Sequence, residues 1–361
     1  MTRYLTPLAR RTALAALSAS ALLAIAACGS SASSSSGGTA ASGSTTTNMT
    51  FMTDFNAGGL YAPLVYGIDS GIYKAAGINL TIQYGKGSSI TASSIAQGQA
   101  TVGDVSLASL ATAVGKGAKV EAVGMFTGTA EFGIFVPRSS GITTVAGLKG
   151  KTLIQSSGGA VSQLLPVVLQ KNGLSASDVK IVTVGTTAAL SSYEDGQADG
   201  LAYGIPNADP TVQKTRASTV LSYSENGAAE PGYGLTFADS YVKSNPNLVR
   251  AFLTATYKSI AGALQNGSTA VSDFQKANPT LQASVIQGQF DAYKQYMCSP
   301  SQSKAGQPLG EPNTSDLSSG FALMHQYQGV PASVTPSSVV TSQFFSGGTP
   351  VSTLKCPISS S

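Results

Sequence analysis

The sequence has no tryptophan, a single histidine, His325, and three cysteines among its 361 residues. There is no Cys/His cluster for a metal ion, and no Gly-rich phosphate loop is followed by a lysine. A Ser–His–acid triad would have to recruit His325, and no serine lies in a nucleophile-elbow sequence. We therefore expect no metal, no cofactor and no catalytic residues, so that the protein is not an enzyme. A secreted hydrolase that depends on His325 is the alternative.

Charge is also scarce, because only 11% of the residues are Asp, Glu, Lys or Arg. The formal net charge is +4, and three of the positive residues, Arg3, Arg10 and Arg11, lie near the N-terminus. Without these three the balance is about +1, and neither a basic stripe nor an acidic block is present. This excludes nucleic acid as a partner. Hydrophobic residues make up 42% of the chain, which is enough for a packed core.

The N-terminal segment has the pattern of an export signal. Its basic residues precede an apolar run, Ala13–Ala27, which is too short to span a bilayer comfortably. The run ends in "IAAC", Ile25–Cys28, which resembles a bacterial lipobox with Ile in place of the usual Leu. We predict a signal peptide over 1–27, a lipid on Cys28 and a flexible Ser/Gly/Thr-rich tether over 28–48, so that the protein is extracytoplasmic and anchored to the bacterial cell membrane. An ordinary secretory signal with an incidental cysteine is the alternative.

The other two cysteines, Cys298 and Cys356, suit a disulfide in an oxidising compartment. Closing a loop of about 58 residues stabilises a protein by about 4 kcal/mol in the chain-entropy model. The enclosed stretch is rich in Ser, Pro, Gly and Gln and has few large apolar residues, so it needs such a cross-link. We predict a disulfide-stapled C-terminal extension over 298–361, with two separate buried thiols as the alternative.

From Met49 onward, short apolar strands alternate with helical patterns, which indicates an α/β protein with parallel strands. The pattern then restarts, which indicates two lobes. Two extended segments, "EFGIFVPRSSGI" and "EPGYGLTFADSYVK", lead from one lobe to the other and back. We predict a discontinuous first lobe over 49–133 and 235–297 and a second lobe over 134–234. The predicted hinge has two strands, Ile134–Pro137 and Gly232–Phe237.

Five loops between a strand and the following helix are short, polar and rich in Gly or Ser. They read "DFNAGG", "GKGSS", "GDVS", "QSSGGA" and "YGIPN". In open α/β sheets ligands bind at the carboxyl ends of the strands, where helix N-termini present free N–H groups. We therefore predict a ligand cleft at these loops. Nearby aromatic residues could face the ligand, although each alone fits the core equally well: Phe55, Tyr61, Phe126, Tyr203 and Tyr233.

One long segment, "GGLYAPLVYGIDSGIYKAAGINLTI", resembles the opening of periplasmic-type substrate-binding proteins of the sulfonate, nitrate, taurine and thiamine-pyrimidine-precursor branch. The stretches "IAQGQATVGDVSLASLATAVGKGAKVEAVG", "GLKGKTL" and "NPNLVRAFLTATYKSI" match the family in the same order, so the resemblance covers about 49–290. It implies the type II periplasmic-binding-protein fold, in which two α/β lobes joined by a two-strand hinge close over a small-molecule ligand. It also implies an ABC permease as the membrane partner, and we expect a monomer. The segment from Cys298 onward matches no part of the family.

The resemblance carries ligand-binding roles to the cleft loops by position. In the first lobe these residues are Asp54, Phe55, Asn56, Gly59, Ser88, Asp104 and Ser106. In the second lobe they are Ser156, Ser157, Gly158, Gly159, Tyr203 and Asn207. The glycines of "DFNAGG" would let backbone N–H groups approach the ligand. The pyrimidine-synthesising enzymes among the relatives rely on a Cys-rich motif and a histidine, and neither lies near these positions, which favours binding over catalysis.

The charges near these loops predict the class of ligand. Arginine often grips sulfonates and carboxylates, but between residues 50 and 242 it occurs only at Arg138 and Arg216. Asp54 would repel an anion and could accept from a ring amine, while Phe55, Tyr61 and Tyr203 could sandwich a flat ring. We expect an aromatic heterocycle such as a thiamine pyrimidine precursor. The alternatives are nitrate, taurine or an alkylsulfonate in the same fold, or a surface sensor or adhesion lipoprotein that reuses the fold.

Overall fold

The computed structural model describes residues 46–157, 159–346 and 350–358. The predicted signal peptide, Cys28, most of the tether and Gly158 lie outside the described residues. The longest helix has 20 residues. Within the described ranges, none of the helices combines the length and the apolar character that crossing a membrane requires.

The strands of the described residues form two five-stranded sheets. The first sheet consists of β1 (Thr47–Met52), β2 (Ile78–Gln83), β3 (Val102–Ser106), β4 (Val120–Met125) and β10 (Tyr233–Ala238), in the order β2-β1-β3-β10-β4. The second consists of β5 (Phe132–Pro137), β6 (Thr152–Ser156), β7 (Lys180–Val184), β8 (Gly200–Gly204) and β9 (Ser218–Ser222), in the order β7-β6-β8-β5-β9. In each sheet one strand, β10 or β5, runs antiparallel to its neighbours. The predicted α/β class is confirmed.

Helices connect these strands and cover the sheets. They are α1 (Ala62–Asp69), α2 (Ile72–Ala75), α3 (Ser88–Ala96), α4 (Leu107–Gly115), α5 (Ala160–Lys171), α6 (Thr186–Glu194), α7 (Ile205–Thr215), α8 (Asp239–Ser244), α9 (Pro246–Gln265), α10 (Gly267–Ala277), α11 (Ala283–Lys294), α12 (Pro300–Ala305) and α13 (Thr314–Tyr327). We call the first sheet with α1–α4 and α8–α11 the first lobe, and the second sheet with α5–α7 the second lobe. The boundaries predicted from the sequence stay predictions.

The chain crosses between the sheets at different residues from those predicted. Strand β4 ends at Met125 and β5 begins at Phe132, so the first crossing segment is 126–131; the second is 223–232, between β9 and β10. The predicted hinge at Ile134–Pro137 is wrong, because these residues lie in β5, which pairs with β9 on one side and β8 on the other. Of the second predicted hinge strand, only Gly232 lies in a crossing, since the rest belongs to β10.

The C-terminal part packs on the first sheet. Leu317, Phe321 and Met324 of α13 share a hydrophobic cluster with β3, α4 and β4. Val340 bridges Ala122 of β4. Cys298 and Cys356 form a disulfide, as the cysteine count predicts. The extension is therefore held by apolar contacts as well as by the cross-link.

Candidate ligand-binding site

Three carboxyl groups lie buried where the first sheet meets the first crossing segment. Asp54 follows β1, Asp104 belongs to β3, and Glu131 ends the segment 126–131. Because β1 and β3 are parallel neighbours, Asp54 and Asp104 come together at one edge of the sheet. Only 1% of Asp54, 1% of Asp104 and 7% of Glu131 is exposed, so all three side chains are withdrawn from water. We call these three residues the carboxyl cluster.

Hydrogen bonds fix two members of the carboxyl cluster. Asp104 Oδ1 accepts from the backbone N–H of Asp54 at 2.8 Å, and Asp104 Oδ2 accepts from the Tyr61 hydroxyl at 3.1 Å. Asp54 Oδ1 accepts from the Ser88 hydroxyl, and Ser88 Oγ accepts from the backbone N–H of Ser106 at 3.0 Å. Both oxygens of Asp104 are therefore used inside the protein, whereas Asp54 uses only one.

The remaining oxygens of the cluster are buried and unpaired. Among the described residues, Asp54 Oδ2 and Glu131 Oε2 have no hydrogen-bond partner, and neither has Ser156 Oγ of the second lobe. Leaving such an atom unpaired costs about 1–3 kcal/mol, and more for a charged group. Buried polar groups in folded proteins are nearly always satisfied, so these atoms are open to a bound water molecule or a ligand.

Ser156 lies across the seam from the loop that carries Asp54. A Cβ built on Gly159 would lie 3.3 Å from Phe55 Cζ and 3.8 Å from Ser156 Oγ. Phe55 therefore reaches the second lobe directly beside Ser156. A side chain at Gly159 would make a tight contact with the Phe55 ring.

Burial controls the protonation of the carboxyl cluster. It raises the pKa of Asp54 to about 7, while the hydroxyls of Ser88 and Tyr233 oppose this rise. Burial and the charge of Asp54 raise the pKa of Asp104 well above its usual range, and burial does the same for the pKa of Glu131. The Tyr233 hydroxyl lies near Asp54 and Glu131, but no hydrogen bond of normal geometry joins it to either free oxygen within the described ranges.

Positive charge is placed away from the cluster. Across residues 46–157, 159–346 and 350–358, none of the three carboxyls has a Lys or Arg within ion-pair distance. Arg138 binds the Ser218 carbonyl through Nε, and Arg216 binds the carbonyls of Tyr193 and Ala198 through Nη1, all within the second lobe. The cluster is therefore a region of uncompensated negative charge whenever its carboxyls ionise.

A groove of about 400 Å³ opens beside Phe55 at the seam between the lobes. Its lining comes from both lobes and consists of Phe55, Asn56, Ala57, Thr187, Leu190, Tyr203, Asn207, Thr211, Asn278, Thr280, Leu281, Val285 and Gln289. The rings of Phe55 and Tyr203 meet edge to face, with centroids 6.3 Å apart. A larger hollow of about 560 Å³ lies between α3 and α8, and residues of the second sheet do not line it.

Two hydrogen bonds close the seam on either side of the site. Ser109 Oγ of α4 donates to Gln163 Oε1 of α5 at 3.1 Å. Gln289 Nε2 of α11 donates to the Asn207 carbonyl of α7 at 3.1 Å. The lobes are thus in direct contact at two places along the seam.

The sequence profile of the NMT1/THI5-like family matches residues 60–270, which is more than half of the chain. The chain belongs to this family. Ser88, Asp104, Glu131 and Ser156 lie inside the matched range, whereas Asp54 lies just before it. Among curated proteins, no sequence matches the chain.

Solved structures share the fold of this NMT1/THI5-like chain. The alkanesulfonate-binding protein SsuA from Xanthomonas axonopodis pv. citri, bound to MOPS, has a TM-score of 0.64 and 17% identity, and covers 81% of this chain and 98% of its own. The nitrate-binding protein NrtA from Synechocystis PCC 6803 has a TM-score of 0.65 and 12% identity, with coverages of 83% and 87%. A protein of Bordetella bronchiseptica RB50 has a TM-score of 0.66 and 18% identity, with coverages of 82% and 95%. The predicted periplasmic-binding-protein fold is confirmed.

The predicted site residues of this family member fall into two groups. Asp54 and Asp104 are members of the carboxyl cluster, and Ser88, Ser106 and Tyr233 lie beside it. Phe55, Asn56, Tyr203 and Asn207 line the groove, and Ser156 and Gly159 join the two groups across the seam. Ser157 is exposed, and its backbone N–H donates a hydrogen bond to the Val184 carbonyl.

Three of the predicted residues lie in different surroundings from those expected. Tyr61 and Phe126 are buried beneath the site, with their rings stacked at 6.1 Å, so neither is placed to sandwich a ligand ring. The backbone N–H of Gly59 donates a hydrogen bond to Gln289 Oε1 at 2.7 Å. A Cβ built on Gly59 would lie 2.1 Å from the Ile286 carbonyl oxygen. This glycine therefore allows the loop to pack on α11.

Glu131 of the carboxyl cluster and Gln289 of the groove lining were not predicted from the sequence. The available signal for Glu131 was an acidic residue beside the apolar run "FGIFV" in a segment that crosses between the lobes. Gln289 lies on α11, and nothing in its sequence context marks it.

His325 lies on α13, outside the groove and the carboxyl cluster. Its Nδ1 is 3.1 Å from the Val330 carbonyl oxygen, and its ring packs against Phe321. In the described part of the chain, no group of three or more His, Cys, Asp or Glu is placed to hold a metal ion.

Proposed function

We propose that the protein is an extracytoplasmic solute-binding protein that encloses a small molecule between its lobes and delivers it to an ABC importer. The observation that carries this proposal is the set of buried, unpaired atoms at the seam: Asp54 Oδ2 and Glu131 Oε2 on one side and Ser156 Oγ on the other. A ligand held by all three atoms would favour the closed arrangement of the lobes. The fold shared with SsuA and NrtA supports the same role.

We propose a flat heterocycle with N–H donors as the ligand, such as a thiamine pyrimidine precursor. The free carboxyl oxygens accept from ring or amine N–H groups, and Ser156 can donate or accept. Phe55 and Tyr203 offer aromatic surface in the adjoining groove.

The main alternative is an anionic ligand in the same site, because SsuA binds alkanesulfonates and NrtA binds nitrate. The charges argue against it. An anion about 4 Å from an ionised carboxylate is repelled by roughly 4 kcal/mol at an effective dielectric constant of about 20. Arg138 and Arg216 are bound elsewhere in the second lobe and do not relieve this repulsion.

We further propose that Cys28 is lipidated and that the protein acts as a membrane-anchored monomer. A lipid at this position would keep the binding lobes beside the permease. The wild-type protein should partition with membranes and begin at a diacylated Cys28. A Cys28→Ala protein that stays equally membrane-bound would contradict the anchor.

Native mass spectrometry of the protein purified from its source tests the proposed binding function. We expect one small molecule to travel with the folded wild-type protein and with the Asp69→Asn control, which changes an exposed carboxyl of α1. The molecule should be lost from Phe55→Ala and Ser156→Ala proteins, because these remove contacts on both sides of the seam. Equal retention by all four proteins would contradict a site at the seam, and the absence of any bound molecule would contradict the binding function.

A further inference from the structure

We infer that the ligand is a cation whose positive charge, of the amidinium or protonated-amine type, lies against Asp54 Oδ2 and Glu131 Oε2. This inference rests on the proposed binding function and adds the charge of the ligand to it. It follows from the pattern of hydrogen bonds in the carboxyl cluster, the placement of cationic side chains and the burial of the site.

The hydrogen bonds divide the carboxyl cluster into two roles. Asp104 accepts from the Asp54 N–H and the Tyr61 hydroxyl, so it is a positioning residue that holds the loop after β1. Asp54 and Glu131 each keep one oxygen without a partner in the described chain. The two free carboxyl oxygens can each accept from an N–H group of an amidinium ion.

The charge of the site also favours a cation at any pH at which the carboxyls ionise. Burying a carboxylate is unfavourable unless an opposite charge accompanies it. A neutral heterocycle would satisfy the hydrogen bonds of Asp54 and Glu131 but would leave their ionised forms uncompensated. A cation satisfies both, and because no side chain of the described residues provides it, the ligand is its source.

Ser156 provides an independent observation from the second lobe. It is fully buried, its Oγ is unpaired, and it lies beside Phe55 rather than among the acidic residues. A hydroxyl can accept from the far end of a ligand whose near end is bound by carboxylates. A ligand that spans the seam in this way explains why unpaired atoms occur on both lobes.

Such a site binds its ligand more weakly as the pH falls. Besides the carboxyl cluster, the titratable groups that act on it are all tyrosines: Tyr61, Tyr233, Tyr293 and Tyr296. Burial raises the pKa of Asp54 to about 7, so a cation must displace a proton from Asp54 at lower pH. The affinity for a cation then falls by up to about tenfold per pH unit for each proton displaced. A ligand that accepts from protonated Asp54 would bind more tightly at low pH.

Calorimetric titration of the full chain with three probes tests the inference. The probes share one ring and differ in charge: benzamidinium is positive, benzamide is neutral and benzenesulfonate is negative. At about pH 8 we expect benzamidinium to bind at least about tenfold more tightly than benzamide and benzenesulfonate, and to weaken by about tenfold or more at about pH 6.

Variants of the carboxyl residues test which side chains bind the charge of benzamidinium, and control variants test whether a loss of binding reflects misfolding. We expect Asp54→Asn and Glu131→Gln each to weaken benzamidinium by about tenfold or more at about pH 8, which is the loss of one charge-assisted contact. Asp69→Asn and Glu225→Gln, which neutralise exposed carboxyls, should bind as the wild type does. Circular dichroism checks the fold of each variant, and Glu131→Gln stands in for Asp54→Asn if the latter does not fold.

Two results overturn the inference. Preferential binding of benzenesulfonate or benzamide would contradict a cationic ligand, but it would leave the proposed solute-binding function in place. Failure of benzamidinium to bind at either pH would also reject it. Failure of the proposed function is recognised separately, because the protein from its source would then carry no small molecule in native mass spectrometry.

Discussion

The two lobes contribute opposite chemistry to one site. The first lobe and the crossing segment supply three buried carboxyls, whereas the second lobe supplies a hydroxyl, a glycine and aromatic surface, all neutral. The C-terminal extension, which is closed by the Cys298–Cys356 disulfide, packs on the sheet of the first lobe through α13. The difference suggests a division of labour in which the reinforced first lobe selects the ligand by charge and the second lobe closes over it.

Removal of the disulfide should have the largest effect on the reinforced side. We expect Cys298→Ser/Cys356→Ser to lower the free energy of unfolding by about 4 kcal/mol, because the unfolded chain gains the freedom of a long loop. Urea unfolding followed by circular dichroism measures this loss. Hydrogen exchange should show faster opening of α13 and unchanged protection of β6 and β8. Equal loss of protection in both lobes would contradict the comparison.

Gly59 should be much less tolerant of a side chain than a glycine of the second lobe. We expect Gly59→Ala to cost about 3 kcal/mol, because its Cβ would collide with the Ile286 backbone. Gly185→Ala is the matched control: it has no heavy atom of the described residues within 4 Å of a Cβ and should cost less than about 1 kcal/mol. Chemical denaturation of both proteins measures the difference, and similar losses would show that α11 does not hold this loop.

The ligand-free protein should lose stability as pH rises, because of Asp54. Burial raises the pKa of Asp54 to about 7 from a usual value of 3.8, so the folded state binds a proton that the unfolded state has released. The resulting stabilisation is present at low pH and declines as pH rises through about 7, by about 2 kcal/mol between about pH 5 and about pH 7. Asp54→Asn removes this contribution.

The measurement is the difference in unfolding free energy between wild type and Asp54→Asn at several pH values, with Asp69→Asn as the control. The wild type should become less stable relative to Asp54→Asn as pH rises. A difference that stays constant with pH would show that Asp54 is not perturbed in the folded state.

Removing one tyrosine hydroxyl should matter more in the first lobe than in the second. Tyr61→Phe leaves Asp104 Oδ2 buried without its 3.1 Å donor, and we expect a loss of about 1.5 kcal/mol. Tyr203→Phe removes only a 3.4 Å bond to the Thr186 carbonyl, and we expect about 0.5 kcal/mol. Thermal unfolding of the two variants compares them directly, and a reversed order would contradict the assignment of Asp104 as a buried positioning residue.

Much of the fold was predictable because it follows from periodic patterns. The alternation of strands and helices predicts the α/β class, whereas the assignment of the loop after β1 to a ligand cleft stays a prediction. The hinge was misplaced because an apolar run such as "FGIFV" has the same sequence pattern whether it crosses between lobes or forms a central strand. Its pairing with β8 and β9 shows that it forms a central strand.

The site was predictable only in part, for a related reason. Asp54, which follows β1, and Asp104, which lies within β3, both belong to the polar loops that the sequence analysis singled out. The inward direction of Glu131, the stacking of Tyr61 on Phe126 and the contact of Gly59 with α11 depend on residues distant in the chain. Single-sequence patterns carry no information on such contacts.

A crystal structure of the protein with the small molecule that co-purifies from its source tests the central claim most directly. The account predicts a cationic molecule between the lobes, bound to Asp54 Oδ2 and Glu131 Oε2 on one side and to Ser156 Oγ on the other. An anion at the seam, or a molecule bound only in the hollow between α3 and α8, would contradict it.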